Sequence, residues 1–230
     1  MSAFTGGEPQ RIVPGNNIEL LDKGQSILYK KWYDSKPKDK REHIPNATLT
    51  RQMIREPFCD YDDSVSNFAI RDENNNFIAG GSVLGCTLRN GKRFGELTGV
   101  YVELEKRKQG LASQIDKKRQ EWCENQENKF EWLQTHIAST NIPSLRLKLK
   151  QGFTIIDIAE DAKEHVGSCL LKNAKVDVET KFETVNISLS DLAKLEQLTT
   201  NGWEGTDLQP ITDQENLDPT NWLLTLRRKK

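Results

Sequence analysis

The chain of 230 residues is long enough to bury about 70–75% of its unfolded surface in one core, so it needs neither disulfide bonds nor a structural metal ion. Its 33 Lys and Arg residues almost balance 34 Asp and Glu residues, and the net charge of −1 excludes a uniformly basic surface for nonspecific nucleic-acid binding. We therefore expect one main domain and no nucleic-acid partner.

The cysteine pattern and the N-terminal composition both bear on the compartment. The four cysteines lie far apart, without a CxxC pair or a histidine at metal-ligand spacing, so we expect reduced thiols and no bound metal. Residues 1–10 lack the charged start and apolar run of a secretory signal, and no stretch of about eighteen apolar residues occurs. These features predict a cytoplasmic protein without a membrane partner.

The first part of the chain predicts a tail, a strand and two helices. Residues 1–16 are rich in glycine, proline and polar side chains, which is typical of a flexible tail. Asn17–Leu21 has the pattern of a short strand, and apolar residues at helical spacing predict a helix over Lys23–Tyr33. A second helix is predicted for Thr48–Arg55, ended by Pro57.

Three strands separated by polar turns are predicted next. They cover Asn67–Arg71, Phe77–Leu84 and Arg93–Val102. Residues 72–76 and 89–92 are rich in turn formers, so consecutive strands are expected to pair antiparallel.

Helices and strands then alternate. The spacing predicts a helix over Gly110–Asn125, a strand over Phe130–Ala138 and a helix over Ile142–Gln151. Two closing strands are predicted for Phe153–Ile158 and Val166–Leu171. This order is typical of a mixed α/β domain.

Residues 174–230 form a predicted C-terminal α+β extension. Alternation predicts a strand over Val176–Phe182, followed by a helix over Ser190–Leu198, a polar loop over Thr199–Pro219 and a strand over Asn221–Leu226. The apolar faces of these elements need a surface to cover. We expect the extension to pack on the domain or on a partner subunit, which leaves a homodimer open.

A basic turn between a strand and a helix predicts an anion site. The first N–H groups of a helix lack backbone partners and carry partial positive charge, so they bind phosphate well. Gly110 and Ala112 keep bulky side chains away from those groups, while Lys106, Arg107 and Lys108 add charge. The stretch contains neither GxxxxGK[ST] nor a complete GxGxxG. Taken alone, the turn is either a phosphate site of another kind or an ordinary charged connection.

Two sequence blocks resemble the GNAT N-acetyltransferase superfamily. Arg107–Ala112 matches the family's [QR]xxGx[GA] acetyl-CoA signature and follows an apolar strand. Asn141–Phe153 resembles a later family block, with an Asn after a strand, a helix, and Gly-Phe entering the next strand. The resemblance covers residues 17–173. It implies an α/β GNAT fold, in which helices flank a mixed, mostly antiparallel central sheet.

The resemblance implies an acyltransferase that moves an acetyl group from acetyl-CoA to a primary amine by direct attack. The acceptor stays open between a small-molecule amine and a protein lysine or N-terminus. The alternative is a catalytically weak GNAT-fold protein that binds acetyl-CoA or an interaction partner. By resemblance, the residues that bind coenzyme A are Val100, Val102, Arg107, Lys108, Gln109, Gly110, Leu111, Ala112 and Asn141.

Glu96 and Val100 are the catalytic candidates. The resemblance implies that Glu96 takes a proton from the amine and that the N–H of Val100 polarises the thioester carbonyl, while Val102 pairs with the pantetheine arm like an added strand. Strand alternation predicts that Glu96 shares a mostly apolar face with Phe94, Thr98, Val100 and Val102, unless a bulge changes the phase. The alternative is a solvated strand residue.

Lys148 departs from the family pattern, since many relatives carry a Tyr there that can protonate the leaving thiolate. We expect no essential acid role for Lys148, with its stem along the helix and its ammonium in water. The thiol of coenzyme A resembles that of cysteine, with a pKa of about 8.5, so its thiolate leaves near neutral pH without a dedicated acid.

Five further residues carry weaker expectations. Asn141 either caps a helix or contacts coenzyme A, and His136 is either structural or close to the acceptor. Trp203 and Trp222 either wall a cleft or dimer contact, or clad the core. Glu103 is expected to be surface charge beside the basic turn.

Overall fold

The computed structural model describes residues 18–36, 59–88, 91–125, 130–138, 140–160, 166–172, 181–211 and 218–229, of which 59–64, 159–160 and 166–172 are described by their backbone alone. The predicted tail over 1–16 and the predicted helix Thr48–Arg55 lie outside these ranges. So does the predicted strand Val176–Phe182, apart from its last two residues.

Within the described ranges the chain forms ten strands and four α-helices. The strands are β1 (Ile18–Leu20), β2 (Cys59–Arg71), β3 (Phe77–Leu88), β4 (Arg93–Val102), β5 (Trp132–Ala138), β6 (Thr154–Glu160), β7 (Val166–Lys172), β8 (Phe182–Ser188), β9 (Glu204–Pro210) and β10 (Trp222–Lys229). The helices are α1 (Lys23–Asp34), α2 (Leu111–Glu124), α3 (Ile142–Lys150) and α4 (Leu192–Thr200).

The described strands form one sheet in the order β1-β2-β3-β4-β5-β7-β6-β9-β10-β8. Strands β4 and β5 run parallel, and the other described pairs run antiparallel. The predicted succession of three antiparallel strands is therefore present as β2, β3 and β4. A mostly antiparallel sheet with flanking helices confirms the predicted mixed α/β class.

The two faces of the sheet carry different apolar clusters. On β2, Ala69 packs with Tyr29 and Tyr33 of α1. Its neighbours Phe68 and Ile70 belong to the largest cluster of buried apolar residues, which is called the main core here. Successive side chains of a strand point to opposite faces, so α1 and the main core lie on opposite sides of β2. The main core also contains apolar residues of α2, α3 and α4.

Side-chain caps fix the start of three helices. Asp22 and Gln25 form a reciprocal capping box at α1. Asn141 is the N-cap of α3 and Asp191 is the N-cap of α4, and each side chain accepts a hydrogen bond from the backbone N–H three residues later. Such caps each stabilise a helix by about 1 kcal/mol. Helix α2 differs, because its N-cap Gly110 provides no side-chain hydrogen bond.

Strand β9 corrects the prediction of a polar loop over Thr199–Pro219. The strand has little apolar content, and its buried positions are Gly205 and Leu208. Its neighbours hold it in the sheet, since β10 pairs along most of it and Ile155 of β6 pairs with Gly205. Tertiary pairing rather than local pattern makes this segment a strand.

Residues of the C-terminal extension share the main core. Those that are buried there are Leu189, Leu195, Leu208, Trp222, Leu224 and Leu226. Trp222 is fully buried, and the Arg146 guanidinium carbon lies 5.1 Å from its ring centre. Trp222 therefore clads the core rather than lining an open cleft. The division into a domain over 17–173 and an extension over 174–230 stays a prediction.

Gly205→Ala tests the close approach between β9 and its neighbours. A Cβ on Gly205 would lie 3.0 Å from the Ile155 Cβ and 3.1 Å from a Leu224 methyl carbon, so overpacking should lower the free energy of unfolding by about 1–3 kcal/mol in urea titrations. Gly24→Ala is the matched control, because the added Cβ meets only an Asp22 oxygen at 3.4 Å. Equal stability of the two variants would contradict the packing.

Candidate active site

Among the described residues β4 and β5 pair over a short stretch only, and the unpaired region between them beyond that stretch is called the notch here. Within the described residues, the two strands pair only where Phe94, Gly95 and Glu96 lie opposite 132–134. Beyond this point β4 continues to Val102, while β5 continues with β7 on its other side. The edge of β4 beyond Glu96 therefore faces the notch.

Strand β4 carries a β-bulge beside the notch. Ser82 of β3 lies opposite Thr98, but Gly80 lies opposite Tyr101, so β4 has one residue more than β3 between these pairs. Gly99 lies in this interval with φ of +65°, a left-handed conformation that glycine adopts without a Cβ clash.

The bulge reverses the faces of the side chains that follow it. Leu97 packs in the main core, so its neighbour Glu96 points to the α1 face. After the bulge, Tyr101 packs on the α1 face and Val102 packs against the main core. The expectation that Glu96 shares a face with Val100 and Val102 is therefore wrong, because the extra residue shifts the alternation by one position.

The backbone of β4 presents polar groups to the notch. The N–H of Glu103 donates to the Ile78 carbonyl of β3 at 2.9 Å, so strand alternation turns the backbone groups of Val102 away from β3. The Val102 carbonyl accepts from Nε of Arg107 at 3.1 Å, which agrees with this direction. Val100 lies two residues earlier on the same edge.

The basic turn leads from β4 into α2. A short 3₁₀ helix, Leu104–Lys106, follows the strand, and Gly110 has φ of +77° immediately before the first residue of α2. Lys108 also has a positive φ, of +61°. A Cβ on Gly110 would meet nothing within 4 Å, so the backbone conformation, not space, favours glycine. With no side-chain cap at Gly110, the first N–H groups of α2 suit an anion.

The residues of the basic turn that the sequence predicts to bind coenzyme A differ in their exposure to solvent. Lys108 and Gln109 are exposed, and Arg107 is exposed while tethered to the Val102 carbonyl. The Leu111 side chain is buried in the main core, so only its backbone can reach a ligand. Ala112 is half-buried.

Glu103 is a shared hydrogen-bond acceptor rather than the surface charge expected from the sequence. Its Oε1 accepts from the Trp32 indole at 3.1 Å and pairs with the Lys36 ammonium, and its Oε2 accepts from the Tyr101 hydroxyl at 3.5 Å. Burial, followed by the negative charge of Glu103, raises the pKa of Tyr101. The C-terminal end of α1 is thereby tied to the start of the basic turn.

Glu96 lies buried beside His136 on the α1 face. The Glu96 residue is 3% exposed, and Nδ1 of His136 lies 3.5 Å from its Oε1. Gln134, which is opposite Glu96 on β5, is also buried. The alternative of a solvated Glu96 is therefore wrong. Sequence reasoning missed this pair, because a parallel register across β4 and β5 brings the two residues together.

Lys148 is buried and ion-paired, so the expectation of an ammonium in water is wrong. Its Nζ lies 2.8 Å from Oδ2 of Asp116. The other carboxylate oxygen of Asp116, Oδ1, pairs with the Arg119 guanidinium. Arg119 in turn donates to the carbonyls of Ser82 and Thr98, each at 2.8 Å. These contacts between α2, α3 and the sheet are not visible in sequence spacing.

Asp116 is ionised within this cluster. Burial is the largest single influence and raises its pKa, but the charges of Lys148 and Arg119, with their hydrogen bonds, outweigh it. The pKa of Asp116 in the folded chain therefore lies below its ordinary value of 3.8.

Asn141 caps α3, as one of its two interpretations predicts. Its Oδ1 accepts from the Ser144 N–H at 3.2 Å. A contact with coenzyme A stays a prediction.

The described residues offer neither a cluster of metal ligands nor a helix that could span a membrane. No group of three or more His, Cys, Asp or Glu side chains there is arranged to hold a metal ion. In the same part of the chain, no helix has the length and apolar content to span a membrane.

Comparisons with known proteins give a family match and many similar folds. The model of the acetyltransferase (GNAT) family matches residues 29–153. No curated protein sequence matches the chain.

Solved structures of acetyltransferases resemble the chain at low sequence identity. A GNAT-family acetyltransferase from Streptococcus pneumoniae is 13% identical, with a TM-score of 0.53 over 69% of this chain and 99% of that one. The ribosomal-protein-S18-alanine N-acetyltransferase from Escherichia coli is 12% identical, with a TM-score of 0.49 over 72% of this chain and 97% of that one. A GNAT-family acetyltransferase from Elizabethkingia anophelis, solved with acetyl-CoA, is 14% identical, with a TM-score of 0.44 over 70% of this chain and 99% of that one.

Lys148→Met tests the buried ion pair. Removing one partner leaves Asp116 buried with Arg119 alone, so the free energy of unfolding at neutral pH should fall by about 3–5 kcal/mol in denaturant titrations. Lys150→Met, at an exposed position of the same helix, is the matched control and should change little.

The pH dependence of that loss gives a second check. The lowered pKa of Asp116 adds stability that is fully present above 3.8 and is lost as the pH falls through the folded-state value. The difference in the free energy of unfolding between wild type and Lys148→Met should therefore become smaller as the pH is lowered. A gap that is constant with pH, or equal losses in the two methionine variants, would contradict the pair.

Proposed function

The chain belongs to the acetyltransferase (GNAT) family, and on that premise we propose that it transfers an acetyl group from acetyl-CoA to a primary amine. The observation that carries the proposal is the notch, which opens beside a bulge in β4 and leads into a basic turn at an uncapped helix start. Acetyl-CoA carries a thioester at one end of an extended amide arm and a pyrophosphate further along. The notch and the turn offer matching groups in that order.

The backbone and the basic turn would hold acetyl-CoA in two ways. Val100 and Val102 offer peptide groups at a strand edge, so the pantetheine amides would pair with them as an added strand does. The pyrophosphate would bind the first N–H groups of α2, across Gly110, Leu111 and Ala112, where the helix dipole favours an anion. Arg107, Lys108 and Gln109 would contribute charge and side-chain hydrogen bonds. Asn141 would be a further contact.

The reaction that we propose is one direct displacement. The amine nitrogen forms a bond to the acetyl carbon, the carbon–sulfur bond breaks, and coenzyme A leaves as a thiolate. The N–H of Val100 would donate to the carbonyl oxygen as negative charge develops there, and one such donor typically contributes about 10²–10³-fold in rate. A thiol pKa of about 8.5 makes the thiolate a good leaving group without a dedicated acid.

Glu96 would act as the base. An alkylamine with a pKa of about 10.4 costs roughly 4–5 kcal/mol to deprotonate at neutral pH, so a nearby carboxylate that takes the proton assists the attack. Support comes from the burial of Glu96, from His136 beside it, and from its location on β4 before the bulge. The acceptor class that we propose is a primary amine of a small molecule or of a protein.

A second candidate function is favoured by Lys148. Lys148 stands where many relatives have a Tyr, and its ammonium is buried in an ion pair with Asp116. A chain without that Tyr could bind acetyl-CoA but transfer the acetyl group only slowly. An amine panel followed by mass spectrometry separates the two. Acetylated product with release of coenzyme A thiol supports the enzyme, whereas tight binding without release on any amine supports the second candidate.

Gly110→Asp tests the assignment of the basic turn. A carboxylate at the start of α2 would repel the pyrophosphate, so calorimetry should show acetyl-CoA affinity lowered by about 100-fold or more, equivalent to about 2.7 kcal/mol. Gly202→Asp is the matched control, because Gly202 also has a positive φ, of +79°, with open space around its Cβ. Unchanged affinity in Gly110→Asp would overturn the assignment.

Glu96→Gln tests the base. Loss of the carboxylate should lower turnover by about 10²–10⁴-fold at neutral pH while acetyl-CoA affinity stays near that of wild type. Glu131→Gln removes an exposed carboxylate just before β5 and should leave turnover unchanged. Full activity of Glu96→Gln would assign the proton to another group.

A further inference from the structure

Three ionised side chains form a buried cluster that reaches the bulge of β4. Arg119 and Asp116 of α2 are 0% and 1% exposed, and Lys148 of α3 is 4% exposed. Lys148 pairs with Asp116, and Asp116 pairs with Arg119. We call these three residues the ion cluster.

The cluster ends on the backbone of β3 and β4. The Nη1 atom of Arg119 donates at 2.8 Å to the carbonyls of Ser82 and Thr98, which lie opposite each other in the register. Thr98 is the last paired residue of β4 before the bulge. One guanidinium therefore binds both strands at the point where their regular pairing stops.

The sheet is shaped to admit this guanidinium. A Cβ on Gly81, the β3 residue between the two register pairs, would lie 3.0 Å from Nη1 and 3.1 Å from Cζ of Arg119. Any larger residue at 81 would press on the guanidinium. The absence of a side chain there makes room for the cation beneath the bulge.

Stability alone is a poor reason for such a cluster. Taking charges out of water is costly, and well-packed apolar residues of similar volume often replace buried ion groups without loss of stability. The cluster also joins α2 and α3 to the two strands, so it links the bulge to the helices behind the sheet.

We propose that Arg119, held in place by Asp116 and Lys148, is a positioning residue that fixes the bulge of β4 and, through the Thr98 carbonyl, the direction of the Val100 N–H at the notch. This inference rests on the proposed acetyl transfer, in which that N–H faces the thioester carbonyl. The rigid guanidinium fork lets Nη1 hold the two carbonyls while Nη2 pairs with Asp116, a division between two fixed nitrogens that a single ammonium on a flexible stem cannot reproduce.

The test compares two changes to the cluster with one control. Asp116→Leu/Arg119→Met/Lys148→Met replaces all three charges by apolar groups, so no charge is left buried and unpaired. Arg119→Lys keeps the charge but loses the fork. Lys117→Met removes an exposed charge of α2 and serves as the control.

Two measurements separate positioning from a general loss of stability. Amide hydrogen exchange over residues 98–102 should accelerate by about tenfold or more in both cluster variants, relative to the rest of β3 and β4. With the amine found by the panel, kcat should fall by about 10²–10³-fold in the triple variant and about tenfold in Arg119→Lys, while acetyl-CoA affinity stays within about threefold. Lys117→Met should match wild type in both.

Several outcomes would overturn the proposal. One is wild-type exchange over 98–102 and wild-type kcat in the folded triple variant. Another is faster exchange spread evenly over the chain, with kcat falling only as the folded fraction falls. If the triple variant does not fold, Arg119→Lys and Gly81→Ala, which presses on the guanidinium without changing charge, decide by the same readouts. If wild type acetylates no amine, the proposed function fails, and the exchange data still decide whether the cluster orders the bulge.

Discussion

One extra residue in β4 organises the candidate site. The bulge at Gly99 sends the side chains before and after it to opposite faces, so Glu96 lies on the α1 face while Val102 packs against the main core. It also coincides with the stretch in which β4 has parted from β5. Among the described residues, no strand pairs with the notch edge of β4 at Val100 and Val102, and the Glu96 carboxylate lies on the α1 face of the same strand.

The bulge is held from both faces of the sheet. On the main-core side, Arg119 bridges two carbonyls beneath Gly81. On the α1 side, Tyr29 packs over Gly80, where a Cβ would lie 2.7 Å from its hydroxyl oxygen. Burial raises the pKa of Tyr29, so its phenol is neutral at ordinary pH. Close-packed groups on both sides leave the bulge little freedom to adopt another register.

Local patterns predicted most elements, and long-range contacts account for the misses. The helix after the basic turn and the strand before it follow from apolar spacing and turn residues, so the sequence predicted where the basic turn lies in the fold. Strand β9 was not predicted, because pairing with its neighbours, not its own composition, makes it a strand. Burial of Lys148 and the approach of His136 to Glu96 each join residues far apart in the sequence. The spacing of residues along the sequence does not indicate such pairs.

Infrared spectroscopy tests most directly whether the Val100 N–H polarises the thioester of bound acetyl-CoA, as we propose. With acetyl-CoA labelled at the acetyl carbonyl carbon, the difference between labelled and unlabelled complexes isolates the carbonyl stretch. A hydrogen bond at the notch predicts a shift of that band to lower wavenumber on saturation of the protein. A band unchanged from that of free acetyl-CoA, in a complex that calorimetry shows to be saturated, would contradict this role of the Val100 N–H.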